Sequence, residues 1–430
     1  MGTDPRRRVL VIAYYFPPMG TSGVLRVAKF VKYLPEYGWE PVVLTATPTA
    51  YFAFDETLLQ ELEQRRIAVY RTPGDGNPWW IRRLAASDKT IVLPAEGLNA
   101  LWLRWSQLRW LPDRAVRWKQ EALQLGWQLI REYEPVVLFA TAPPFTDFLV
   151  AAELAERSGL PYVVDYRDPW VGDPERWYPT PWHRHAHRRL ERSVLIRMAC
   201  ATVVARGLKE QLLREYPDVL TYDDVSIIPH GYDSEDFVAV GPVTPPSDRL
   251  VISFVGVLKH GNPLTVLRAV ARFLQQRPQA RHQLEIRWIG LVRPEHRRMV
   301  EELELQEVVR SFGYVPHRQA VRYMLESHVL WAENRPLGSP VKVFEYLGAR
   351  RTLLVCTPLH SPIQPLIEAC GAAFWAEPGD VSTMARHIAE LYERWRDGSL
   401  PVPSEEFVQS FDRRLLTGEL ARLLSLHAAL

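Results

Sequence analysis

Lys342 and Glu345 stand three residues apart in Ser339-Pro340-Val341-Lys342-Val343-Phe344-Glu345-Tyr346-Leu347-Gly348, directly after the apolar run Val329-Leu330-Trp331. That spacing puts an ammonium and a carboxylate on nearly one face of a helix. Pro340 and Val341 form the expected helix tip, where unpaired backbone N–H groups and a partial positive charge face outward. Lys342 and the tip suit phosphate, and Glu345, which only accepts hydrogen bonds, suits ribose or hexose hydroxyls. The plainer alternative is a capped, solvated helix start carrying a surface ion pair.

Other candidates fall between apolar runs and helical patterns. Phe16-Pro17-Pro18-Met19-Gly20-Thr21-Ser22-Gly23 leads into a helix whose first turn carries Arg26, and Gly20 and Gly23 would let backbone approach a ligand there. Asp165-Tyr166-Arg167-Asp168-Pro169-Trp170 crowds two acids and an arginine at a strand end. Charges so placed either pair with one another as a structural network or do binding and acid–base work; of these, Arg167 and Asp168 are taken as site residues. Ile228-Pro229-His230-Gly231 and Phe254-Val255-Gly256-Val257-Leu258-Lys259-His260-Gly261 are glycine turns with polar groups attached. Histidines such as His230 are more often hydrogen-bonded than catalytic. Gly313-Tyr314-Val315-Pro316-His317 is a further turn, at which Tyr314 and Val315 could offer backbone groups to a base.

These residues must be held by alternating β-branched runs and amphipathic helices, which predicts an α/β fold with parallel sheets. Strands are expected over 9–15, 41–45, 136–140, 162–165, 201–204 and 225–228, then over 251–255, 285–289, 309–312, 329–331, 353–355 and 373–375. A chain of 430 residues with 47% apolar content can build two such domains. The proline-stiffened stretch Gly241-Pro242-Val243-Thr244-Pro245-Pro246-Ser247 marks their boundary. The expected division is 1–238, 248–404 and a long terminal helix over 405–430. Two Rossmann-like halves facing a cleft would bring their strand C-termini, and hence every motif above, to one crevice.

The formal net charge of +2 gives no global case for nucleic acid. Cys200, Cys356 and Cys370 lack metal-ligand spacing and are odd in number, which points to a reducing compartment. Pro17-Pro18 breaks the apolar run after Arg6-Arg7-Arg8 too early for a signal peptide, and the chain is read as cytoplasmic. Only seven of the 52 basic residues are lysine, which singles out Lys259 and Lys342 in an arginine-rich chain.

Taken in order, the Gly20/Gly23 loop, Asp165–Trp170, Ile228–Gly231, Lys342–Tyr346 and Phe407-Val408-Gln409-Ser410-Phe411-Asp412-Arg413 resemble the GT-B fold glycosyltransferases, specifically retaining glycosyltransferase family 4 in its bacterial cell-envelope branch. The resemblance implies transfer of a sugar from a nucleotide-diphosphate donor, held by the second domain, to a carbohydrate or lipid-linked acceptor held by the first. It implies a terminal helix that crosses back to the first domain, and neither metal nor cofactor. By the same likeness Glu345 matches the ribose-binding glutamate and Lys259 the cation that neutralises the diphosphate. Gly20 and Gly23 match the loop that approaches donor phosphates and acceptor, and Tyr314 and Val315 the backbone contact to the base. The chain departs from the pattern at Leu337, where relatives carry a glutamate, so that Glu333 becomes the substitute contact to donor sugar hydroxyls. It departs again at Val257 and Thr141, in place of an arginine and a histidine. Asp168 is the candidate for contacting the acceptor or relaying its proton. A nucleotide-sugar 2-epimerase and a non-catalytic donor-binding scaffold are the competing readings.

Between 79 and 118, Trp79, Trp80, Trp102, Trp105, Trp110 and Trp118 interleave with Arg82, Arg83, Arg104, Arg109, Arg114 and Arg117. Such a mixture suits a lipid–water interface and raises a peripheral contact with the inner face of a membrane; inward packing or stacking on sugar rings is the alternative.

Overall fold

The computed structural model describes residues 7–20, 22–47, 55–73, 107–173, 176–256, 263–333 and 341–428. The chain divides into two compact units, Met1–Pro229 with Arg413–Leu430, and His230–Asp412.

The first unit holds β1 (Arg7–Ile12), β2 (Trp39–Ala46), β3 (Ala68–Thr72), β4 (Val137–Ala142), β5 (Tyr162–Tyr166), β6 (Cys200–Val203) and β7 (Val225–Ile227) in one sheet, ordered β3-β2-β1-β4-β5-β6-β7. All pairings are parallel, with Val9 opposite Pro41 and Ile12 opposite Leu44. Helices cover both faces of such a sheet, so its strands read as unbroken apolar runs. Leu10 and Ile12 face one core with Leu138, Val164 and the helix Thr146–Ser158; Val9 and Val11 face the other with Val27, Phe30 and Val31 of the helix Ser22–Tyr33.

The second unit repeats the plan with β8 (Leu250–Val255), β9 (Leu284–Ile289), β10 (Val309–Gly313), β11 (Val329–Glu333), β12 (Thr352–Cys356) and β13 (Ala373–Ala376), in the order β10-β9-β8-β11-β12-β13 and again all parallel. Phe254 and Trp331 meet edge-on beneath one face, while Val343, Phe344, Tyr346 and Leu347 of the helix Val341–Gly348 fill the other.

Three expectations are corrected. The boundary lies at 229/230 and 412/413 instead of at the 241–247 stretch, because 230–240 is bound into the second unit. Tyr232 N–H donates to Phe411 O at 3.1 Å, and a Cβ on Gly348 would lie 2.5 Å from the Tyr232 ring and 2.8 Å from Phe237. The terminal helix is two helices, Glu405–Gln409 and Arg413–His427, interrupted where the chain passes between units. The second covers the first sheet through Leu416, Leu420, Ala421 and Leu424, and is tied down by Tyr37, whose hydroxyl donates to Arg414 O at 2.7 Å. Finally, β3 and the helix Glu56–Gln64 were not anticipated. Among the described residues β3 pairs only with β2, and as a half-buried edge strand, Ala-Val-Tyr-Arg-Thr, it lacks the apolar run that marks a central strand.

Candidate functional site

In an open parallel sheet, ligands bind where the strand order reverses, outside the strand C-termini. The first sheet reverses between β1 and β4, the second between β8 and β11.

Around the first reversal the charged groups are engaged with one another and with the main chain. Asp165, at the end of β5, is fully buried. Arg26 reaches it with Nη2 at 2.8 Å and Nε at 3.0 Å, and the hydroxyls of Thr141 and Thr202 donate to it at 2.8 and 2.7 Å. Arg26 also donates to Pro229 O and Ile228 O, at 2.8 and 2.9 Å. Burial would raise the Asp165 carboxyl, but the Arg26 charge and these hydrogen bonds reverse that effect and leave it below its ordinary range. Arg26 therefore faces inward and does structural work.

Arg167, expected as a binding residue, is engaged with the main chain. Its side chain is buried and donates to three backbone carbonyls, those of Gly23, Ala142 and Pro143. It straps together the segments after β1, β4 and β5. Gly23 serves that strap, since a Cβ there would sit 3.0 Å from Arg167 Nη1. Gly20 is half-buried in the segment before the helix Ser22–Tyr33, and Asp168 is exposed just beyond β5, where its charge is felt by Arg167. Sequence reasoning missed Asp147. It is buried and accepts from Tyr14 N–H at 2.9 Å through Oδ2, while Oδ1 has no hydrogen-bond partner among the described residues. Burial pushes this carboxyl well above its usual range, with the Asp113 charge adding to the rise and Arg167 opposing it.

The second reversal is built from glycine and incompletely matched charge. Gly256, Gly290 and Gly313 follow or end β8, β9 and β10 with φ of 136°, 128° and 72°. Gly256 N–H donates to Ile289 O at 2.8 Å and Gly290 N–H to Gly313 O at 2.7 Å. A Cβ on Gly290 would lie 1.9 Å from Gly256 O, so this close approach requires glycine. Gly290 was not singled out in the sequence, although a glycine directly after a strand run was the available signal.

Beside Gly256 lies Lys342, its Nζ 3.9 Å from the centre of the Phe254 ring and 3.5 Å from where a Gly256 Cβ would be. Burial pushes this ammonium below its ordinary range, against the opposing charges of Glu333 and Glu345. Glu333 closes β11, and neither carboxylate oxygen has a hydrogen-bond partner among the described residues. Burial pushes its carboxyl up and the Lys342 charge pulls it down, with burial the stronger. Tyr346 fixes the helix against β8, its hydroxyl accepting from Val255 N–H at 2.8 Å and donating to Val255 O at 3.2 Å.

Glu345, one turn beyond Lys342, lies 3.6 Å from Nδ1 of His317, whose Nε2 is 3.0 Å from Asp236. His317 opens the helix His317–Leu325 immediately after half-buried Tyr314 and Val315. Folding thus brings the predicted Glu345 beside the turn predicted to meet a base, and adds His317 and Asp236, for which no site role had been read. His230 is buried with its ring edge-on to Phe344, 6.0 Å between centres. Lys259 and Pro340 lie outside the described residues, as do Val257, Leu337 and most of the tryptophan–arginine stretch. Of that stretch, Trp118 points inward, donating from Nε1 to Thr72 Oγ1 at 2.6 Å, which corrects its interfacial reading. Among the described residues, no helix is long and apolar enough to cross a membrane.

No protein-family model matches the sequence, and no curated protein does. Solved structures do match in fold. Anabaena Alr3699/HepE in complex with UDP and glucose is 14% identical, with a TM-score of 0.63 over 98% of this chain and 100% of that one. The glycosyltransferase from Rickettsia africae ESF-5 is 12% identical, with a TM-score of 0.63 and 98% of both chains covered. A protein from Listeria monocytogenes, provisionally named a UDP-N-acetylglucosamine 2-epimerase, is 12% identical, with a TM-score of 0.58 over 98% and 96%. These likenesses establish the fold, a two-domain α/β architecture of the GT-B class, over nearly the whole chain.

Proposed function

We propose that this protein is a glycosyltransferase that takes a sugar from a nucleotide-diphosphate donor. The single observation carrying this reading is the second sheet's reversal point, where Lys342 and Glu333 stand beside the glycine-built end of β8 and Glu345 follows one turn later. Anabaena HepE, similar in fold, holds UDP and glucose, which supports a uridine donor. In the reaction the bond from the sugar's anomeric carbon to the diphosphate breaks and a bond to an acceptor hydroxyl oxygen forms. Lys342, Lys259, Pro340 and the N-terminal tip of the helix that begins at Val341 steady the departing diphosphate, so the chemistry needs no metal. Glu345 holds the ribose hydroxyls, Glu333 the donor sugar, and the Tyr314–Val315 backbone the base. Gly20 and Gly23 approach the donor phosphates and the acceptor, His230 contacts substrate, and Asp168 or the leaving phosphate takes the acceptor's proton. Attack from the leaving-group side gives the retaining outcome of family 4. The acceptor class is an envelope polysaccharide, glycolipid or lipid-linked glycan at the cytoplasmic face.

Thermal-shift titration with nucleotides and nucleotide sugars tests the donor site, because a ligand that binds only the folded state raises Tm. UDP or a UDP-sugar is expected to raise Tm, and Glu345→Ala to abolish the rise; no shift with any nucleotide overturns the reading. The likeness to the Listeria protein favours 2-epimerisation as a second reading. Incubating the binding nucleotide sugar without acceptor separates them, since only an epimerase converts its substrate. Binding without conversion or transfer to envelope acceptors would leave a scaffold.

A further inference from the structure

The helix Pro181–Leu195, Pro-Trp-His-Arg-His-Ala-His-Arg-Arg-Leu-Glu-Arg-Ser-Val-Leu, carries four arginines, three histidines and one acid. The acid, Glu191, is turned inward, taking hydrogen bonds from Tyr216 OH at 2.7 Å and Val171 N–H at 3.1 Å. His183, His187, Val194 and Leu195 share that buried side. The outer face is left with Arg184, His185, Arg188, Arg189 and Arg192, all exposed, between Trp182 at 63% exposure and Ile196 at 53%. Trp182, Arg189 and Ile196 recur every seven residues and so form one line along the helix.

Local pairing does not neutralise this face. Arg188 donates to Glu215 O at 2.8 Å and Arg192 pairs with Asp218 at 2.6 Å, both on one flank. The side chains of Arg184, His185 and Arg189 have no ion pair or hydrogen bond among the described residues. The first turn has no acid and carries Arg184, a cation at the end where the helix macrodipole is already positive, which disfavours the helix unless an anion is supplied from outside. Exposed apolar groups in line with the free arginine favour a lipid surface over a soluble polyanion, because an indole at headgroup depth and arginines against anionic headgroups act together.

We infer that the exposed face of this helix docks on a membrane surface rich in anionic phospholipid. The inference is independent of the donor-site reading. Its test is co-sedimentation of the full chain with phosphatidylcholine vesicles, with and without phosphatidylglycerol, at low and high salt. Binding is expected only with phosphatidylglycerol and is expected to weaken with salt. Neutralising Arg184 and Arg189 to glutamine should cost about five-fold in affinity per arginine. Trp182→Ala should weaken binding further, and lysine at both arginine positions should retain it. Failure of the wild type to sediment with anionic vesicles overturns the inference, as does unchanged binding of the glutamine variant. Equal affinity for heparin that Trp182→Ala does not alter would assign a soluble polyanion instead and also overturn it. Each variant's melting transition and nucleotide-dependent shift report separately on folding and on the donor site.

Discussion

Asp165 at the end of β5 and Glu333 at the end of β11 are carboxylates at equivalent kinds of position, each close to where a parallel sheet reverses its strand order. Asp165 receives Arg26 and two threonine hydroxyls, and its charge is held in place. Glu333 receives no hydrogen bond from the described residues, and its neighbour Lys342 rests on an aromatic face. Burying a charge is unfavourable unless it is paired and hydrogen-bonded. The first arrangement meets that condition within the fold; the second does not meet it among the described residues. The difference separates a strand end whose charge is met within the fold from one whose carboxylate takes no hydrogen bond from the described residues.

The largest effect should come from breaking the matched end. Asp165→Ala strands a buried guanidinium and is expected to cost about 3–5 kcal/mol in denaturant unfolding. Asp165→Asn, which keeps a hydrogen-bonding side chain, should cost less. A loss below about 1 kcal/mol would show that the pair is not what holds these loops. Next comes Gly290→Ala, where positive φ and a 1.9 Å approach to Gly256 O combine; roughly 2 kcal/mol or more should be lost, and nucleotide affinity with it. A variant of wild-type stability would mean that β8 and β9 ends can part freely.

Lys342→Met should behave in the opposite way to Asp165→Ala. Because burial already pushes the Glu333 carboxyl up, that group can take a proton once the ammonium is gone, so an apolar side chain of similar length should cost less stability than Asp165→Ala, yet abolish the nucleotide-dependent rise in Tm. A large stability loss with ligand binding intact would erase the contrast between the two ends. The smallest expected effect is on pH dependence. Because burial raises the Glu333 carboxyl, the folded state holds a proton that the unfolded state has released, so this group's contribution is full in acid and is lost as pH rises through its folded pKa toward neutrality. Glu333→Gln should flatten that decline in a series of melts across pH, and an unchanged slope would mean that the carboxyl titrates normally.

The α/β class, the strands of both central runs and the helix bearing Lys342 and Glu345 were legible because each rests on short-range periodicity and on glycine or proline punctuation. Glu345 could be placed near Tyr314 and Val315 only by resemblance, and the geometry adds His317, which no spacing rule links to it. Arg167 illustrates the converse: a guanidinium in a charged cluster reads as a binding group, whereas the carbonyls of Gly23, Ala142 and Pro143 engage it. The unit boundary was misplaced for a related reason. Proline and glycine at 241–247 report a break in regular structure, but membership of a unit is decided by packing, here of Tyr232 and Phe237 against Gly348.

Residue order alone thus specified which stretches become strands and helices, since burial on both faces of a parallel sheet demands continuous apolar runs and turns demand glycine. Whether a given charge is matched inside the fold or left without a hydrogen-bond partner among the described residues was decided only in three dimensions. Arg26 meets Asp165 across 139 residues of chain, and Lys342 meets Phe254 across the second sheet's reversal. Such pairings depend on strand order and on the distance between loops, which no local window of sequence contains.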